Sequence, residues 1–273
     1  MPDYKPNEMM TVAAARALKN DDVCFVGIGQ PSAACNLARL THAPEITLIY
    51  ESGTLATKPN VLPLSIGDGE LCETALTTVS VPEMFRYWLQ GGRIKVGFLG
   101  GAQIDKFANL NTTVVGPYDK PKVRLPGGGG APEIATSCGE IFVIMAQGRR
   151  GFVDKLDFVT SIGHVTGGDS RRKLGVTTKG PTRLITDLAL FEPDPETKEM
   201  IVATSKIMSL VAESWRGSPL TQLRRRRFPG SSSLAGRKTG PIGAKDGYVL
   251  PFDHWPPETS IWKARSETSL ARK

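Results

Sequence analysis

The sequence predicts an α/β fold, a mainly parallel sheet with flanking helices, on three observations. Short apolar runs at residues 23–26, 46–50 and 141–145 read as strands of such a sheet, the last buried on both faces. Segments of helical periodicity lie between the strands. Glycines then close the strands, at Gly27 and Gly29, at Gly53, and at Gly100 and Gly101, where the chain must turn tightly or let its backbone approach a ligand.

The first expected helix spans residues 7–19, with Met10, Val12, Ala13, Ala14 and Leu18 at helical spacing. Strand 23–26 ends in Gly27-Ile28-Gly29-Gln30-Pro31, and helix 32–40 follows with Ser32 as its cap. Strand 46–50 completes a unit whose economical topology is a parallel pair joined by a crossover helix. Residues 53–69 are rich in turn formers, among them Pro59, Pro63 and Gly67. Helix 81–90 carries Pro82 in its first turn and Gly91-Gly92 at its end. Strand 94–99 runs into Gly100 and Gly101, and residues 112–115 form a short strand. Pro132 suits the first turn of a helix reaching about residue 138, after the glycine segment 127–130. Residues 183–191 and 199–203 read as late strands, with an antiparallel hairpin around 192–198. No period of 20–50 residues repeats, which argues against a solenoid.

The net charge of +7 over 273 residues is unevenly placed. From Thr204 onward there are 13 Lys and Arg against 5 Asp and Glu, so residues 1–203 hold 21 basic and 22 acidic groups. The basic character belongs to the tail, and the body is not expected to bind nucleic acid or a membrane. Residues 1–205 are read as one α/β domain. Residues 206–273, with Arg224-Arg225-Arg226-Arg227 and little apolar periodicity, read as a disordered or divergent tail. Cys24, Cys35, Cys72 and Cys138 lack metal-ligand spacing, and with His42, His164 and His254 the only histidines no metal site is expected. Neither a secretory signal nor an apolar run of about 18 residues is visible, so a reduced, cytoplasmic protein is expected.

Glu51 stands where strand 46–50 runs out, followed by Ser52 and Gly53. In open α/β sheets chemistry gathers beyond the carboxyl ends of the strands, so an acid there is either a solvated loop residue or lies against a ligand. Gly27-Ile28-Gly29 resembles the start of a dinucleotide fingerprint, but Ser32 stands where the third glycine belongs, and a packing turn explains it better. Gly127, Gly128, Gly129 and Gly130, ahead of a helix, can turn several backbone N–H groups towards one point. Such a nest suits a phosphate or the oxyanion of an attacked thioester; the alternative is a flexible loop. No Ser-His-Asp set or Gly-x-Ser-x-Gly motif is present, and nothing singles out Asp68, Glu70 and Glu73 as paired acids. A carboxylate can itself be a nucleophile that forms a covalent acyl intermediate.

Four segments, in their order and spacing, resemble the β subunit of glutaconate-type, family I CoA-transferases. They are Tyr50-Glu51-Ser52-Gly53, Leu62-Pro63-Leu64-Ser65-Ile66-Gly67-Asp68, Gly100-Gly101-Ala102-Gln103-Ile104-Asp105 and the glycine segment with Ala131. The resemblance spans roughly residues 8–203 and implies the α/β fold of that family and a two-subunit enzyme. It implies that Glu51 attacks an acyl-CoA thioester to give a mixed anhydride. CoA thiolate then converts this to a glutamyl-CoA thioester, which passes CoA to an acceptor carboxylate. Gly127, Gly128, Gly129, Gly130 and Ala131 match the segment that holds the oxyanion, with Ser52, Gly53 and Gln103 as possible supports. Coenzyme A is then a substrate and covalent intermediate, no cofactor is bound permanently, and an α subunit is the partner. Two departures stand out. Ala108 replaces the usual glycine in Asp105-Lys106-Phe107-Ala108-Asn109-Leu110-Asn111, and the closing His-Pro-Gly segment is missing past about Ala203. The rival expectations are a ring-opening hydrolase subunit acting on CoA thioesters of steroid degradation, and a non-catalytic partner subunit.

Overall fold

A computed structural model of the chain describes residues 5–204. The proposed tail lies outside the described residues. The first helix, α1 (Pro6–Ala17), opens on Pro6, with the Lys5 N–H donating to Glu8 Oε2 at 2.9 Å. Strand β1 (Val23–Val26) follows, then helix α2 (Gln30–Arg39) and strand β2 (Thr47–Tyr50). Ser32 does not cap α2: Gly29, at φ 84°, is the N-cap, and the helix has begun two residues before Ser32. The Ser32 hydroxyl pairs instead with the Tyr50 hydroxyl at 2.7 Å, tying α2 to the end of β2.

Past β2 come β3 (Thr54–Leu55), helix α3 (Gly69–Glu73) and β4 (Thr77–Thr78), with β3 and β4 forming a small antiparallel ribbon. The helix expected over 81–90 is instead one short turn, α4 (Val81–Glu83), leading into a π-helical segment, Met84–Leu89. Apolar spacing reports which residues face the core, and it carries no signature of a hydrogen bond that skips one further residue. Strand β5 (Val96–Leu99) then enters the sheet. Two more ribbons follow, β6 (Gln103–Ile104) with β7 (Leu110–Asn111) and β8 (Val114–Val115) with β9 (Val123–Arg124). Of the strand expected over 112–115, only its second half, Val114–Val115, pairs as a strand.

Helix α5 (Ala131–Ser137) precedes strand β10 (Glu140–Ile144), and helix α6 (Ser170–Lys173) precedes β11 (Pro181–Ile185). Residues 183–191 prove to be two strands, for the Thr186 N–H donates to the Ala189 carbonyl at 3.0 Å and turns the chain into β12 (Leu190–Pro193). The last strand, β13 (Met200–Thr204), pairs antiparallel with β12 across the expected hairpin.

The main sheet has seven strands in the order β13-β12-β11-β10-β5-β1-β2. Its five strands from β11 to β2 are parallel, and β12 and β13 are antiparallel additions. Alternate side chains feed two cores. Cys24, Val26, Leu48, Tyr50, Val96 and Phe98 pack against α1 and α2. Phe25, Ile49, Leu99, Ile141 and Val143 pack on the other face with Ile134 of α5 and Met84 of the π-helical segment. Although β2 is an edge strand, Leu48, Ile49 and Tyr50 are buried, because the chain folds back and the Thr57 N–H donates to the Leu48 carbonyl at 3.1 Å. Cys24, Cys35 and Cys138 are buried free thiols, and burial pushes Cys138 up to about 12. Among the described residues no helix is long and apolar enough to cross a membrane.

Candidate active site

Because β2, β1, β5 and β10 are parallel, their carboxyl ends share one edge of the sheet, and that edge carries Glu51, Gly27, Gly100 and Met145. Glu51 leaves β2 in a turn closed by Gly53 N–H donating to the Tyr50 carbonyl at 3.0 Å. Gly53 lies at φ 100°, and its carbonyl accepts from the Val79 N–H at 2.9 Å. A Cβ there would meet Val79 O at 1.9 Å, so only glycine lets β4's neighbour clamp this turn. Burial raises the Tyr50 phenol to about 12, and it stays a neutral anchor under the turn. Glu51 is partly exposed, and its carboxylate has no hydrogen-bond partner among the described residues. The neighbouring Ser52 hydroxyl is buried and likewise has none among them.

The glycine segment crosses the same edge. Thr112 pins its start: the Gly127 N–H donates to Thr112 O at 2.8 Å, and the Thr112 hydroxyl donates to Gly127 O at 2.8 Å. The Ala131 N–H turns inward to Gly128 O at 2.9 Å. Of the five residues matched to the oxyanion segment, Gly127 and Ala131 thus spend their N–H groups on the fold. Those of Gly128, Gly129 and Gly130 meet no acceptor among the described residues. Gly127 and Gly129, at φ 100° and 48°, supply the left-handed turns that expose them.

The two parts meet at Gly130. A Cβ on this residue would lie 2.9 Å from Glu51 Oε1 and 2.7 Å from Phe85 Cζ. The lone acid, Gly130 and an aromatic ring therefore share one small space. Alongside it, an open cleft of about 350 Å³ is lined by Gly100, Gly101, Ala102, Thr112, Leu125, Pro126, Gly127, Gly128 and Ala131. Its walls are backbone and small apolar groups.

Gln103 takes another place. Its Oε1 accepts from Asn111 Nδ2 at 2.7 Å and from the Asp157 N–H at 3.2 Å, while its Nε2 donates to Asp157 Oδ2 at 2.9 Å. Every polar atom of the side chain is thereby engaged in bracing the β6–β7 ribbon. Thr112 and Phe85 escaped the sequence reading because each acts through a contact between distant segments. Among the described residues no group of three or more His, Cys, Asp or Glu is placed to hold a metal ion.

A nucleophilic carboxylate beside free amide donors suits attack on an activated carbonyl. Residues 7–207 match the family model described as coenzyme A transferase. The chain belongs to that family. Within it, this transferase chain is 64% identical over 204 residues to the β subunit of the 3-oxoadipate CoA-transferase of Pseudomonas knackmussii, covering 75% of this chain and 78% of that one. It is 36% identical over 207 residues to the β subunit of the glutaconate CoA-transferase of Acidaminococcus fermentans, covering 74% and 77%. The crystal structure of the glutaconate enzyme superposes with a TM-score of 0.70 at 33% identity, covering 74% of this chain and 79% of that chain. A cholesterol ring-cleaving hydrolase subunit of Mycobacterium tuberculosis is 25% identical over 168 residues, 58% of this chain and 61% of that one. The likeness is thus fuller to the β subunits of transferases than to the hydrolase subunit, and the hydrolase expectation is not favoured.

Proposed function

We propose that this chain is the β subunit of an acyl-CoA:carboxylate CoA-transferase in which Glu51 is the nucleophile. The observation that carries this reading is the meeting of the Glu51 carboxylate with Gly130, in a segment whose Gly128, Gly129 and Gly130 N–H groups meet no acceptor among the described residues. A Glu51 oxygen adds to the thioester carbonyl of the donor, and the carbonyl oxygen becomes an oxyanion within reach of the Gly128, Gly129 and Gly130 N–H groups. Collapse expels CoA thiolate and leaves an acyl-glutamyl anhydride. The thiolate then attacks the Glu51 carbonyl, releases the donor acid and forms the glutamyl-CoA thioester. The acceptor carboxylate attacks that thioester, and the returning thiolate takes the acceptor acyl group and restores Glu51. No water enters and no proton is consumed.

The 350 Å³ cleft, open and weakly polar, suits the slender arm of coenzyme A running towards Gly128. The name of the relative at 64% identity makes 3-oxoadipate the first acceptor to try. An α subunit is the expected partner, in keeping with the subunit names of the relatives. The exposed side chains of Val61, Leu62, Leu64, Ile66 and Leu76 offer an apolar surface for it, Leu64 being 91% exposed.

The test uses the complex with its α subunit. Acyl-CoA without acceptor should add to this chain the mass of CoA less one water, and Glu51→Gln should abolish both that adduct and transfer while leaving the complex assembled. Unchanged transfer by Glu51→Gln would overturn the reading. Thioester loss that needs no acceptor would favour the hydrolase instead.

A further inference from the structure

Phe85 sits on the π-helical segment Met84–Leu89, where the Gln90 N–H reaches back five residues to the Phe85 carbonyl at 2.8 Å. Single-turn π insertions are rare and concentrate at functional sites, because the extra residue re-aims the side chains around it. Here the ring of Phe85 meets Phe25 of β1 edge to face, with centroids 6.0 Å apart and planes at 70°. Its far edge reaches the site. The point where a Cβ of Gly130 would stand is 2.7 Å from Phe85 Cζ, 3.0 Å from Phe85 Cε1 and 2.9 Å from Glu51 Oε1. Phe85 is partly exposed and packs against the rim of the second core rather than inside it.

We propose that Phe85 determines acyl specificity, admitting thioesters with an unbranched α-carbon and rejecting those branched there. This rests on Glu51 as the nucleophile. In the anhydride the acyl carbon is bonded to a Glu51 oxygen, and the α-carbon lies one bond beyond it, in the zone that the ring edge bounds. The gap between ring and glycine backbone already lacks room for one added carbon, so an unbranched chain must pass beside it, whereas a methyl branch aimed into it must displace a ring that also packs on Phe25. A single methyl group against such a wall is worth about 10–200-fold in kcat/KM.

The experiment compares straight-chain and 2-methyl-branched thioesters of one dicarboxylic acid on the complex with its α subunit. The variants are Phe85→Ala, Phe85→Leu and, to keep the ring, Phe85→Tyr. Wild type and Phe85→Tyr should prefer the straight chain by at least about tenfold, Phe85→Ala should lose most of that preference, and Phe85→Leu should fall between. A merely structural role would lower kcat/KM for both thioesters alike and leave their ratio unchanged. An unchanged ratio in Phe85→Ala and Phe85→Leu, or a wild type that takes both thioesters equally, overturns the proposal. Intact mass of the same wild-type preparation separates the two readings. A Glu51–CoA adduct with an unchanged ratio defeats the role of Phe85 alone, and the lack of any adduct defeats the role of Glu51.

Discussion

A methyl group added to Gly130 would come within 2.9 Å of Glu51 Oε1, so the strand-end carboxylate and the glycine segment share a wall. Gly130 itself lies at φ −82°, a conformation any residue adopts. Its need for glycine is therefore one of space beside the carboxylate, and this gives a clean substitution.

Gly130→Ala should push Glu51 and Phe85 aside and lower kcat at least about tenfold, or ~1.4 kcal/mol, with little change in stability. Gly129 is the control. A Cβ there meets nothing within 4 Å, and only its φ of 48° disfavours alanine. Gly129→Ala should cost about 1 kcal/mol of stability and spare most of the activity. Equal loss of kcat in the two variants would remove the special standing of Gly130.

Ala108 holds φ 56° and is 1% exposed, so the turn does demand the left-handed conformation at the place where the resembled family has glycine. Ala108→Gly relieves about 1 kcal/mol of strain but removes a buried methyl worth about 0.8 kcal/mol, so urea midpoints should barely move. Ala108→Val, β-branched at positive φ in a packed site, should cost about 2 kcal/mol or more.

Arg171 is buried, yet its guanidinium donates to carbonyl oxygens: Nε to Thr178 O at 3.1 Å, Nη1 to Gly163 O at 2.8 Å and Nη2 to Ala135 O at 2.6 Å. Burial lowers its pKa to about 10, which leaves it a cation at neutral pH. Arg171→Met strands these acceptors and should cost on the order of 3 kcal/mol. Arg171→Lys keeps the charge without the planar fork and should rescue little. Since Ala135 belongs to α5, urea unfolding and CoA transfer should be measured together.

His164 Nε2–H donates to the Pro181 carbonyl at 2.7 Å, and burial, with Arg171 and Lys198 nearby, holds its pKa below the ordinary 6.5. The unfolded chain takes up this proton near pH 6.5, and the folded chain only at lower pH. Between those values the unfolded state holds more protons, so the contribution is complete above about pH 6.5 and fades on acidification. Thermal midpoints should fall from pH 7 towards about pH 5, and His164→Gln should flatten that slope. Identical slopes would place the acid sensitivity at another group.

Much of the frame is legible in the chain because burial on both faces leaves a plain mark. The expected strand at 23–26 is β1 residue for residue, that at 46–50 starts one residue later, and that at 141–145 is shifted one residue towards the N-terminus. The hairpin near 192–198 shows equally well, since Asp194 is a strong turn former: its Oδ1 accepts from the Thr197 N–H at 2.8 Å. Ser32 misled because a hydroxyl near a helix start looks like a cap until a buried Tyr50 offers it a partner. The ribbons β6 to β9 are two residues each, too short for a period to register.

By itself the sequence determined the parallel sheet, the acid at the end of strand 46–50 and the glycine segment, since each is written in local composition. Family membership followed from the order of those pieces. Only the tertiary structure decided that Gly127 and Ala131 spend their amides on the fold while those of Gly128, Gly129 and Gly130 meet no acceptor among the described residues, and that Phe85 and Glu51 both border Gly130. Those facts depend on Thr112, on a π-helical turn and on Phe25, contacts between segments far apart in the chain. Hydrophobic periodicity records which side of an element is buried, and it is silent about what that side meets.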